Sequence, residues 1–93
     1  MDEIIHQPLR LKIMAALAAT PGEPLEFKRL KVITEATDGN LGRQLQTLAE
    51  AGYITVIKDY ANNRPRTRAE LSAEGERAFA NHVEYLGRLL RGL

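Results

Sequence analysis

The chain has 93 residues, 44% of them hydrophobic and 27% charged, with a net charge of +1 and no cysteine. That length suffices for one hydrophobic core and not two, so residues 1–93 are expected to form a single domain, small enough for a dimer interface to add useful stability. The lack of cysteine excludes disulfides, thiolate metal sites and cysteine nucleophiles together, and suits a reducing cytosol.

The first residues carry two acidic groups before any basic one and space their apolar residues apart, unlike a signal or transit peptide. No run approaches the roughly 18 apolar residues that span a bilayer. A soluble cytoplasmic protein without membrane contact is the expectation. Charge is nearly balanced overall but not locally: Lys58, Arg64, Arg66 and Arg68 face Asp59 alone between residues 58 and 68. A basic stripe on a near-neutral chain points to an anionic partner at one place.

Pro8 suits a first helical position, and Leu9, Ile13 and Leu17 recur every four residues, widened by Met14, so the spacing predicts a helix over Pro8–Ala19. Thr20-Pro21-Gly22-Glu23-Pro24 stops it, and Leu25 falls in a short extended piece. A second, shorter helix over Phe27–Ile33 would bury Phe27, Leu30 and Ile33. Thr34-Glu35-Ala36 separates it from a third helix, Asp38–Ala51. There Thr37 is an N-cap, Asp38 sits where the helix dipole favours negative charge, Leu41, Leu45 and Leu48 make an apolar face, and Gly52 ends the helix. Two short helices joined by a tight turn form a helix-turn-helix.

Past Gly52 the periodicity changes. Tyr53–Ile57 is rich in β-branched and aromatic residues and reads as a strand, Asn62-Asn63-Arg64-Pro65 as a turn, and Thr67–Leu71 as the returning strand. Ser72 caps a last helix running from Ala73 to about Arg91, with a stripe of Phe79, Val83, Leu86 and Leu90 broadened by Tyr85 and Leu89. The fold class is mainly α with a small β-hairpin (α+β), in the order α-(β)-α-α-β-β-α. That order is a winged helix-turn-helix.

With the leucines inward, the third helix is expected to show Gly39, Asn40, Arg43, Gln44 and Thr47 outward. Arg bonds guanine bidentately, Asn and Gln bond adenine, and a Thr methyl meets the thymine methyl, so this set suits a major groove of double-stranded DNA. Gly39 permits close backbone approach, and the cap Thr37 is within reach of a phosphate. The hairpin adds Lys58, Asn62, Asn63, Arg64, Arg66 and Arg68, with Arg66 and Arg68 on one strand face, to cross phosphates or enter the minor groove. Each set alone also fits an ordinary solvated surface; together they favour DNA.

Three pieces of the chain resemble ArsR-like and MarR-like winged-helix regulators. Leu9-Arg10-Leu11-Lys12-Ile13-Met14 is similar to their first-helix opening. Thr37 to Leu45, Leu48 and Glu50-Ala51-Gly52-Tyr53-Ile54 are similar to their recognition helix and wing start. Arg64-Pro65-Arg66-Thr67 with Leu71-Ser72-Ala73-Glu74-Gly75 is similar to their wing and following helix. The likeness runs in order from Pro8 to about Phe79. It implies a prokaryotic transcription regulator binding pseudo-palindromic operators as a homodimer, with DNA contacts at Asn40, Arg43, Gln44 and the wing arginines. The cysteine metal sites of arsenic-sensing members and the long extra helices of full-length MarR-like proteins are absent, and the sequence assigns no effector.

The last helix, about 28 Å long at 1.5 Å per residue, exceeds what so small a core needs. Tyr85, Leu86, Leu89 and Leu90, with Ile4 and Ile5, are therefore expected in a dimer interface, although closing the monomer core would also explain them. Gly87 would permit close helix approach. Catalysis has little support. His6 and His82 lack a third ligand, Ser72 is explained as a cap, no phosphate-binding glycine loop occurs, and neither a metal nor a cofactor is expected. A winged helix serving only protein–protein interaction is the alternative; single-stranded RNA binding would need more exposed aromatic residues.

Overall fold

A computed structural model describes residues 1–92. Its elements are α1 (Glu3–His6), α2 (Pro8–Ala18), β1 (Leu25–Glu26), α3 (Phe27–Thr34), α4 (Asp38–Glu50), β2 (Ile54–Ala61), β3 (Arg64–Leu71) and α5 (Ala73–Leu90). The three strands form one antiparallel sheet in the order β1-β3-β2. This is the expected winged helix-turn-helix, with one helix added at the start. In α1 the Asp2 carboxylate caps the helix by accepting from the Ile4 and Ile5 amides.

Leu9, Ile13, Met14 and Leu17 of α2 meet Leu30 of α3, Leu41, Leu45 and Leu48 of α4, and Ile54 and Ala69 at the root of the hairpin. The spacing that predicts the helices is thus the spacing of the core. Two expectations fail. Ile33 is substantially exposed, because α3 buries Leu30 and Thr34, four residues apart, rather than a three-residue series. Thr34 is tolerated inside because its hydroxyl donates to the Leu30 carbonyl at 2.7 Å. Ile5 has no exposed surface and belongs to the monomer core, so it has nothing to offer a partner; Ile4 is half-buried against the same core.

The turn of the helix-turn-helix is made by Glu35 in the left-handed region (φ 59°), closing α3 before Thr37 caps α4. The hairpin is longer than expected. Asn62 and Asn63, both at positive φ, form a two-residue turn, and Arg64 and Pro65 belong to β3. Ala61 and Arg64 close the turn as a hydrogen-bonded pair, so the next pair, Tyr60 and Pro65, is non-hydrogen-bonded and needs no amide from proline. On its other side β3 meets β1 only at Arg68 and Ala69. Pro65 costs the sheet nothing there.

At the base of the wing, α5 approaches the Tyr53 carbonyl so closely that a Cβ on Gly75 would lie 1.9 Å from its oxygen. The Ser72 amide donates to that same oxygen at 3.0 Å, and the Ser72 hydroxyl accepts from the Gly75 amide at 2.9 Å. The inward face of α5 carries Ala78, Phe79 and His82, not Val83, which is exposed. The partly buried rings of Tyr85 and the fully buried ring of His82 stack. No helix among the described residues is long and apolar enough to cross a membrane.

Candidate nucleic-acid interface

The exposed side of α4 follows from its buried side. Leu41, Leu45 and Leu48 point inward, so Gly39, Arg43, Gln46 and Glu50, at the same spacing, point outward, and Asn40 and Thr47 flank them. Thr37 accepts from the Asn40 amide at 3.3 Å, and the Thr47 hydroxyl donates to the Arg43 carbonyl at 3.2 Å. Gln46 was missed by sequence reasoning, although its position seven residues after Gly39 and three after Arg43 places it on that line. Its amide donates to Glu50 at 3.1 Å. Asp38 pairs with Lys31 of α3 across the turn at 2.6 Å, which offsets its charge at the start of α4.

Gln44 is not on this surface. It is 8% exposed and lies beside Leu45 at the edge of the core, three residues after Leu41. Its carboxamide oxygen accepts from the Arg10 guanidinium of α2, and its amide nitrogen donates to Asn40 Oδ1 at 3.2 Å. Arg10 also donates to the Ile4 carbonyl and so ties α1, α2 and α4 together. Glycine at 39 and 42 is not demanded by packing among the described residues, since an added Cβ at either would meet none of their atoms within 4 Å. A glycine inside a helix costs roughly 1 kcal/mol against alanine.

The register of the hairpin sorts the wing. Arg64, Arg66 and Arg68 of β3 lie opposite Ala61, Asp59 and Ile57 of β2, so all three arginines and Asp59 share one face. Arg66 grips Asp59 with two hydrogen bonds of 2.9 Å, and Arg68 adds a third to the same carboxylate at 2.9 Å. The hydrogen bonds and positive charge of Arg66, reinforced by Arg68, hold the Asp59 carboxyl down at about 2, and Asp59 in turn raises the Arg66 pKa. Glu26 of β1 stands opposite Arg68 on the same face. Of the four basic residues in the stripe, Lys58 and Arg64 are exposed and unpaired with any described carboxylate, while Arg66 and Arg68 are half-neutralised. Asn62 and Asn63 form the exposed tip, and Tyr60, 74% exposed beside them, was not anticipated.

A helix-turn-helix whose α4 packs on α2, followed by a two-stranded basic wing, defines a winged helix. The chain belongs to the winged helix DNA-binding domain family, whose model matches residues 9–90. An uncharacterized protein of Methanocaldococcus jannaschii is 33% identical over 81 residues, 87% of this chain and 86% of its own length. A transcriptional regulator homologue from Pyrococcus horikoshii superposes with a TM-score of 0.89 at 26% identity, covering 98% of this chain and 88% of that one. The protein ytfH of Salmonella typhimurium shares the fold, with a TM-score of 0.76, 19% identity and coverage of 96% and 76%.

Proposed function

We propose that the protein is a transcription regulator, a homodimeric repressor that lays two copies of α4 in successive major grooves of a pseudo-palindromic operator. The observation that carries this reading is the outward face of α4. Asn40, Arg43, Gln46 and Thr47 offer base-reading groups there, Thr37 lies at the helix start, and the two glycines have no role in the chain's own packing. Close approach of DNA would use the space that the glycines leave. Lys58, Arg64 and the paired Arg66 and Arg68 would lie along the flanking backbone, with Asn62 and Asn63 at the wing tip.

The dimer is supported by α5. Along it Leu89 is 45% and Leu90 87% exposed, Tyr85 and Leu86 are half-buried, and Val83 is exposed, as is Met1. Neither Leu89 nor Leu90 has a place in the monomer core, and a second copy would cover them. Gly87 fits a close helix approach, because among the described residues the atoms near an added Cβ belong to the flexible end of Arg91.

The test is selection from a random duplex library, together with sedimentation of the free protein. A dimer that enriches a two-fold symmetric site is expected. Arg43→Ala should cost about 1–3 kcal/mol at that site and relax the preference at one position in each half. A folded protein that enriches nothing and ignores duplex DNA would instead indicate a protein-interaction module.

A further inference from the structure

The side-chain chain Arg10–Gln44–Asn40 has a direction, and that direction reaches the exposed face of α4. A guanidinium has hydrogen-bond donors and no acceptor. Arg10 therefore fixes the buried Gln44 carboxamide with its oxygen toward α2 and its NH2 group toward Asn40. The NH2 group of Gln44 can only donate, so Asn40 must turn its own oxygen inward, and Oδ1 accepts at 3.2 Å. The Asn40 Nδ2, with two protons, is left facing outward and donates to no described residue. The second nitrogen contact of Arg10, to the Ile4 carbonyl, prevents the guanidinium from rotating away.

We propose that Arg10 and Gln44 are positioning residues that set the amide polarity of Asn40, so that the recognition helix presents a hydrogen-bond donor there and favours guanine, whose N7 and O6 are two adjacent acceptors, over adenine and thymine with one acceptor each and cytosine with a donor. This inference rests on the DNA-binding reading above. An unconstrained asparagine can flip its amide and meet either donor or acceptor edges; a fixed one discriminates. Asn40 lies in the first turn of α4, the part of a recognition helix that meets base edges. Gln44 thus acts on the base through Asn40 rather than by touching DNA.

Gln44→Glu supplies the sharpest test, because it inverts the polarity. A carboxylate at 44 keeps the bond from Arg10 but shows Asn40 only acceptor oxygens. Asn40 must then turn its NH2 group inward and its oxygen outward, toward the amino group of cytosine or adenine. On duplexes enriched by the wild type, replacing guanines one at a time by 7-deazaguanine should reveal a position in each half-site where binding weakens about 3- to 10-fold, the size of one hydrogen bond. Asn40→Ala should abolish that sensitivity. Gln44→Glu should abolish it too and shift the selected base to cytosine or adenine, while Arg10→Met should broaden the preference at that position and leave the bases selected at the other positions of the site as in the wild type.

Thermal melts and the side-chain amide signals of Asn40 in the free protein check folding, and Arg10→Met carries the test if Gln44→Glu does not fold. Retention of guanine by both variants would overturn the relay, as would an Asn40→Ala protein weakened equally on all sequences, the mark of a phosphate contact. A wild type that binds random duplex in a salt-dependent way but shows no position sensitive to 7-deazaguanine overturns the relay alone. A folded wild type that binds no duplex overturns the DNA-binding reading with it.

Discussion

Asp59→Asn removes one carboxylate from the wing and leaves its arginines in place. In the wild type that carboxylate holds three hydrogen bonds of 2.9 Å from Arg66 and Arg68, so a DNA phosphate near the wing must compete with it. The amide of asparagine keeps the size of the side chain and gives up the charge. If the freed guanidinium neutralises one further phosphate, the slope of log affinity against log salt steepens by about 0.9, and affinity for random duplex at ~0.1 M salt rises about 8-fold. Fluorescence anisotropy against a random duplex at several salt concentrations measures both numbers. The ratio between variant and wild type should shrink toward one as salt approaches ~1 M. An unchanged slope and affinity in Asp59→Asn, with a normal thermal melt, would refute the placement of this wing face on the DNA backbone.

Other expectations concern the fold that holds the site. Gly75→Ala forces a methyl against the Tyr53 carbonyl, where no side-chain rotation can relieve it, and should cost about 1–3 kcal/mol in denaturant titration; a cost near zero would mean that α5 and the wing root separate freely. His82 is buried with neither ring nitrogen hydrogen-bonded to a described residue, and burial pushes its pKa down, with His6 adding to the effect. Because the unfolded chain takes up a proton below about 6.5 while the folded one resists, wild-type stability should fall as pH drops below that value. His82→Leu should remove this loss and gain about 1 kcal/mol at neutral pH. Tyr53 donates to Asp2 at 2.6 Å, and that bond, aided by burial and the charge of Asp2, raises its pKa to about 12. The folded chain therefore keeps a proton that the unfolded chain loses, so stability should fall between pH 10 and 12, and Tyr53→Phe should titrate more gently across that window in alkaline melts.

Much of this was legible from spacing. Leu41, Leu45 and Leu48 behind the cap Thr37 located α4 to within a residue, and Asn62-Asn63 marked the wing turn, because these signals are local. The misplacements came from three kinds of non-local information. Gln44 was put on the DNA face because polarity was weighed above helical angle, and its buried partner Arg10 lies 34 residues away. Arg66 and Arg68 were counted as free charge because the strand register that sets Asp59 opposite Arg66 depends on where the turn closes. Ile5 is expected in a dimer interface rather than the monomer core because nothing in the sequence shows that α1 folds back toward α5, where the His6 and His82 rings meet edge to face at 5.7 Å. Gly75 is the opposite case. Its place in the resemblance was legible, and the structure supplies the reason in the Tyr53 carbonyl.

The central claim, duplex DNA binding through the recognition helix and basic wing, is tested most directly by anisotropy titration against random duplex at two salt concentrations, comparing the wild type with an Arg64/Arg66/Arg68→Ala triple variant. Salt-sensitive binding by the wild type that the folded triple variant loses is the predicted result. A folded, dimeric wild type that leaves duplex DNA unbound at low salt would contradict it.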